Sequence, residues 1–239
     1  MSGVAARTAG KPAGRMARPG GRGATVRATR DRPPAARTAR LLRATWSFEP
    51  LTRARWADFA ALFGEKGACG GCWCMWSRLP AKEYREKGPD GRRSAIRRLA
   101  GSDEPPGLLA YDGARAVGWI AVGPRASFRR LETSRVLAPV DAREVWSTPC
   151  FFVARSHRGR GLTCALIQAA CLWAAARGAT CVEGDPVDTR GRRQAAAFVW
   201  PGLPAAFAGA GFREVARRSP ARPIVRRTLR APRKAAARG

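Results

Sequence analysis

The sequence predicts an α/β fold of the α+β kind, and three observations predict it. Two apolar runs, Gly107 to Tyr111 and Ala116 to Val122, flank Asp112-Gly113, a residue pair suited to the positive φ angles of a tight hairpin turn. A buried strand, Val145 to Ala154, runs through a glycine-bearing turn into an amphipathic helix, Leu162 to Arg177. Two more strands, near 212–217 and 223–229, follow a short helix.

The elements follow in order from Leu41. Leu42 to Phe48 reads as a first strand. Thr52 is placed to cap a helix whose Trp56, Phe59, Ala60 and Phe63 recur at i, i+3, i+4 and i+7, with Gly64 closing it. Pro80 opens a second helical stretch that breaks at Gly88-Pro89 and restarts with Asp90 as its cap, carrying Ile96 and Leu99 inward. The hairpin at 107–122 comes next, then a mixed connection over 124–144 with no regular pattern. In the long helix Leu162, Leu166, Ala169 and Trp173 share one face, and Gly178 ends it. Ala179 to Glu183 is a strand, 184–200 a loop, and Leu203 to Ala210 a short helix ended by Gly211. The order is β-α-α-β-β-β-α-β-α-β-β, with no internal repeat.

Composition bounds the rest. The chain has 239 residues, 45% of them hydrophobic, enough to bury one full-sized core. The longest nearly apolar run, Thr163 to Ala176, is interrupted by Gln168 and is too short for a bilayer, which needs about 20 residues. No signal-like segment opens the chain, so the expectation is a soluble cytoplasmic protein with its seven cysteines reduced. The net charge is +28, and residues 1–40 and 213–239 carry +9 each, leaving +10 between them. Residues 1–40 lack large apolar side chains and are expected to form a disordered tail, because they cannot bury enough surface to offset their ordering entropy. The domain is expected over 41–230, with a short basic tail at 231–239. Arginine tails suit a polyanion. However, Arg, Ala, Gly and Pro are all abundant, as GC-rich coding produces, and that reading is preferred.

Arg158-Gly159-Arg160-Gly161-Leu162-Thr163 stands where the buried strand meets the helix. Glycines let a backbone approach a ligand closely, and the unpaired N–H groups of a first helical turn favour an anion. Arg158 and Arg160 add charge, so the loop suits a diphosphate. It meets neither the dinucleotide fingerprint, whose final glycine is here Cys164, nor the Walker pattern, which needs Gly-Lys-Ser/Thr.

The segment CFFVARSHRGRGLT resembles the acyl-CoA loop of the GNAT acyltransferase superfamily, whose motif is Arg/Gln-x-x-Gly-x-Gly/Ala. Arg158, Gly159, Arg160, Gly161 and Leu162 fall on that pattern, and Thr163 departs from it. The hairpin and Gly211-Phe212 extend the resemblance over roughly 41–230, and GCWCMWSRL at 71–79 resembles a bacterial subgroup. The resemblance implies a mixed, mostly antiparallel central sheet flanked by helices, with a splay between the two central strands. It implies acetyl-CoA as co-substrate and direct transfer of the acyl group to an amine in a ternary complex. Phe152 and Val153 would pair with the pantetheine arm, and an N–H there would polarise the thioester carbonyl.

Where many members of the superfamily carry a glutamate on this strand, the chain has Ser147, and where many carry a general-acid tyrosine it has Phe207. Glu183, at the end of the next strand, is the expected base, with Asp185, Glu144 or water as rivals. His157 is the lone histidine, expected to be exposed or to contact phosphate. Cys69, Cys72 and Cys74 have no fourth ligand spaced for zinc, so no metal is expected. Trp73, Cys74 and Trp76 are expected either to line the acceptor site or to join the core. The acceptor is a small-molecule or protein amine, with no membrane and no nucleic acid expected. The competing readings are a basic nucleic-acid-binding protein and a degenerate domain that binds acyl-CoA without turnover.

Overall fold

A computed structural model describes residues 46–229. The tails expected at 1–40 and 231–239, and the first four residues of the strand expected from Leu42, lie outside the described residues. Seven strands form one sheet: β1 (Trp46–Pro50), β2 (Gly107–Asp112), β3 (Arg115–Pro124), β4 (Trp146–Val153), β5 (Cys181–Gly184), β6 (Arg213–Arg217) and β7 (Pro223–Thr228). Their spatial order is β1-β2-β3-β4-β5-β7-β6. Every neighbouring pair is antiparallel except β4 and β5. This is the GNAT fold, mixed and mostly antiparallel, flanked by helices.

One face of the sheet is covered by α1 (Trp56–Phe63), a kinked turn at Gly67–Gly71, α2 (Ala81–Glu86) and α3 (Gly88–Leu99). Its core is aromatic. Phe59 and Phe63 pack at 4.1 Å between ring centroids, Phe63 stacks on Trp73 at 5.9 Å, and Phe59 meets Trp119 of β3 edge-to-face at 4.9 Å. The spacing Phe59/Phe63 delivers both rings to the sheet, as the sequence predicts. The other face holds α5 (Leu162–Ala175) and α6 (Pro204–Gly209). The long helix buries Leu162, Leu166, Ile167, Ala170, Cys171 and Ala174. Its stripe is therefore rotated from the one expected, and Ala169 and Trp173 sit at the margin. A side chain at Gly118 would meet the Leu162 Cδ2 at 3.0 Å, so the missing side chain is what lets α5 lie directly on β3.

Three further expectations change. Lys87, not Asp90, precedes the first turn of α3, because Pro89 lacks an N–H and suits that turn; Asp90 lies within it. Thr52 precedes a short 3₁₀ turn, Arg53–Arg55, and its hydroxyl caps nothing. The connection at 124–144 contains a 3₁₀ turn, Arg125–Ser127, and a short helix, α4 (Arg129–Glu132).

Candidate active site

The site starts with a flaw in the ladder between β3 and β4. Ala121 pairs with Cys150, but Gly123 pairs with Ser147, so β4 holds one residue more than β3 at this point. Such a bulge bends the strand. Pro149 lies within it and has no N–H to donate. Strand β4 accordingly pairs with β5 only at Trp146↔Val182 and Ser147↔Glu183. Beyond these positions the two parallel strands part, which is the splay the resemblance implies.

Strand alternation decides which main-chain groups face the opening. The N–H of Ala154 donates to Val117 of β3 at 2.9 Å, whereas the N–H of Phe151 donates away from β3, to the Trp200 carbonyl at 2.7 Å. Phe151 and Val153 therefore face the splay. Phe152, expected to line it, turns its main chain to β3 and its ring to Phe63 at 5.2 Å. The opening is bridged by the 199–202 segment, because Val187 also donates to the Gly202 carbonyl at 2.9 Å. Trp200 is a site residue that no sequence signal revealed.

At the end of β4 a 3₁₀ turn, Arg155–His157, leads into the glycine loop. Gly159 has φ +71° and Gly161 φ +89°, the left-handed region that disfavours other residues. Gly161 is the residue just before α5, and no side chain caps the helix. The first intrahelical bond runs from Ala165 to the Gly161 carbonyl. The amides of Leu162, Thr163 and Cys164 precede it and are free to bind an anion at the positive end of the helix dipole. Arg158 and Arg160 are exposed, and the Arg158 Nε donates to the Val153 carbonyl at 3.0 Å. His157 is neither exposed nor part of the cradle. It is buried, with Nε2 3.0 Å from Asp112 Oδ2 and Nδ1 2.9 Å from Ser156 Oγ.

The carboxylates at the end of β5 are both buried and paired with arginines. Glu183 is 3% exposed, and both its oxygens are taken. Arg125 Nη1 donates to Oε1 at 2.5 Å, and Arg226 Nε donates to Oε2 at 2.8 Å. Each oxygen thus already accepts from a guanidinium, and a base at Glu183 would have to act from within this buried ion pair. Asp185, two residues on, is 6% exposed and pairs only with Arg222. Burial pushes its carboxyl up to about 7, against the opposing pull of Arg222. Phe207 is fully buried, edge-to-face on Phe151 and Phe212. A surface cavity of about 510 Å³ opens beside β6 and β7, but no residue of the glycine loop lines it.

The aromatic wall divides in two. Trp73 and Cys74 are buried in the core, and both have positive φ, +46° and +58°. Non-glycine residues held there cost about 1–3 kcal/mol each. Trp76 is 43% exposed. Tyr84 lies edge-on to it at 5.2 Å, Trp200 at 6.5 Å, and the Arg130 guanidinium sits 3.7 Å over its ring. Of the three, Trp76 alone is exposed. Among the described residues, no group of three His, Cys, Asp or Glu side chains is placed to hold a metal ion, and no helix is long and apolar enough to cross a membrane.

A bulged, splayed parallel pair feeds a glycine loop and an uncapped helix, an arrangement that suits an anionic ligand. The sequence profile of the Acetyltransferase (GNAT) family matches residues 73–197, and the chain belongs to that family. No curated protein matches it in sequence. Among solved structures it is similar to arylalkylamine N-acetyltransferase 2 from Aedes aegypti, with 11% identity, 78% of this chain and 100% of that one covered, and a TM-score of 0.48. It is also similar to a GNAT-family acetyltransferase from Listeria monocytogenes, with 11% identity, 77% and 95% covered, and a TM-score of 0.48. A third is the PaiA N-acetyltransferase from Thermoplasma acidophilum in complex with coenzyme A, with 9% identity, 77% and 99% covered, and a TM-score of 0.45.

Proposed function

We propose that this chain is an acyl-CoA-dependent N-acyltransferase, most simply moving acetyl from acetyl-CoA to a primary amine by direct transfer. The single observation that carries the reading is the left-handed Gly161 turn ahead of the uncapped first turn of α5, with Arg158 and Arg160 beside it. The diphosphate would rest on the free amides of the loop. The pantetheine would add along β4 at Phe151 and Val153, displacing the Trp200 carbonyl. An N–H released there would donate to the thioester oxygen as negative charge develops on it. Asp185 is the proposed proton acceptor, directly or through one water, since a base with a pKa near neutrality is suited to the task. The acceptor amine would approach past Trp76 and Tyr84. The CoA thiolate can leave without a phenolic acid.

One observation favours a binding-only reading: each oxygen of Glu183 already accepts from a buried arginine. Two measurements separate the readings. Calorimetric titration with acetyl-CoA should show binding that is lost or weakened at least tenfold in Gly161→Asp, which adds a carboxylate where phosphate would lie. Released thiol should then rise above background with at least one member of a panel of primary amines. Equal binding by both proteins would overturn the loop assignment; binding without thiol release from any amine would leave the binding-only reading.

A further inference from the structure

We infer that the cavity beside β6 and β7 is a binding site for a small, soluble, phosphate-bearing anion. The cavity measures about 510 Å³, within the range of small-molecule sites. Arg143, Arg213, Arg226 and Arg227 line it together with Asp141, a formal +3. Glu183 also holds Arg226, and with it counted the balance is still +2. No residue of the glycine loop takes part, so the site is separate from the proposed acyl-CoA cradle.

The strand register concentrates the charge. Arg213 and Arg226 stand directly opposite each other on β6 and β7. Like charges so placed repel. Arg226 is buried and answered by two carboxylates: Nη1 donates to Asp141 Oδ2 at 2.7 Å and Nε to Glu183 Oε2 at 2.8 Å. Arg213 is exposed and, among the described residues, has no carboxylate in ion-pair reach, and the same holds for Arg143. Arg227 donates from Nη1 to the Ala210 carbonyl at 2.8 Å, which satisfies one donor and leaves the charge uncompensated. Three guanidinium groups therefore line one recess with charge to spare. The facing wall is fixed in advance. Arg218 donates to the Ala138 carbonyl at 2.6 Å and to the Pro139 carbonyl at 3.0 Å, and the Arg226–Asp141 bond pins the same segment two residues on. A preformed wall spares a ligand the cost of ordering it. Guanidinium donors engage two phosphate oxygens at once, and a cleft lined by one sign of charge gathers counter-ions. Thr228 adds a hydroxyl to the lining. A recess, unlike an open stripe, favours a free anion over a nucleic-acid backbone.

The test uses the full chain carrying Gly161→Asp, so that the glycine loop does not contribute, and inorganic pyrophosphate as the probe. Calorimetric titration should show binding that weakens at least tenfold when Arg143→Ala and Arg213→Ala are added. Both side chains are exposed, and the basic tails are common to the two chains, so the comparison isolates the cavity. Pyrophosphate should likewise raise the melting temperature of the first chain and not of the second. Equal binding with and without the two arginines overturns the inference, as does an absence of binding in the Gly161→Asp chain. Displacement of pyrophosphate by single-stranded DNA at equal phosphate concentration also overturns it, because the patch would then be a nucleic-acid contact. With Gly161 intact, Arg143→Ala/Arg213→Ala should bind acetyl-CoA as the unaltered chain does; a loss there would make the cavity part of the acyl-CoA site and overturn the inference.

Discussion

Two carboxylates one strand step apart carry opposite consequences because of what stands opposite them. Glu183 is locked by Arg125 and Arg226, 58 and 43 residues away in sequence. Removing one member of a buried pair leaves the other charge uncompensated and costs about 3–5 kcal/mol. Glu183→Gln should therefore lower unfolding stability by about 3 kcal/mol in urea, while acetyl-CoA turnover per folded molecule changes little. A large fall in kcat with unchanged stability would restore Glu183 as the base. For Asp185 the sign runs the other way. Its carboxyl is raised from 3.8 to about 7, so the folded chain holds that proton more tightly than the unfolded chain. Stability should fall as pH rises from about 4 to about 7, and the penalty should be constant above that. Asp185→Asn should remove that slope from the melting temperature and also remove the limb of the rate profile that rises through pH 7, with kcat down about 10²–10⁴-fold. An unchanged rate profile would exclude Asp185. The sequence shows that carboxylates end β5, but not which of them two guanidinium groups hold. That depended on two arginines among 45 basic residues, and no local pattern marks an arginine as buried.

At the scale of elements the sequence was far more legible. Hairpin residues Asp112 and Gly113, the Phe59/Phe63 spacing and the glycine loop each encode local geometry, and each element formed within a few residues of where it was expected. The bulge in β4 was not legible, because it depends on register against β3, and a one-residue slip reverses which amides face the splay. Hence Phe152 was expected where Phe151 stands. The bridge from Phe151 to Trp200 was hidden for the same reason: it joins a strand to an irregular loop 49 residues later. If pantetheine takes the place of that carbonyl, the 195–202 segment must be released. Amide hydrogen exchange should then quicken in 195–202 and slow at 161–165 on addition of acetyl-CoA. Slower exchange in both would show instead that the loop folds over the bound arm and that the Trp200 contact persists.

Charge belongs to the whole molecule, and here it separates the two broad readings of function. Removing residues 1–40 and 231–239 takes away +9 and +3, leaving a 41–230 chain at +16 of the original +28. If the protein acted through nucleic acid, most of its affinity would be lost with those charges, because polyanion affinity scales with the number of phosphates neutralised. An acyl-CoA enzyme depends instead on a few fixed groups. The loop amides, Arg158, Arg160 and the open edge of β4 all lie inside the core formed by residues 46–229. The shortened chain should therefore bind acetyl-CoA within about threefold of the full chain, a difference under 1 kcal/mol. It should melt within a few degrees of the full chain and elute from immobilised heparin at markedly lower salt. The dependence on salt is the sharper measurement. A dependence of acetyl-CoA affinity on ionic strength that is the same in both chains places the anion site in the loop. A dependence that collapses on shortening would mean that the tails hold the phosphates, and the assignment of the diphosphate to the Gly161 turn would fail.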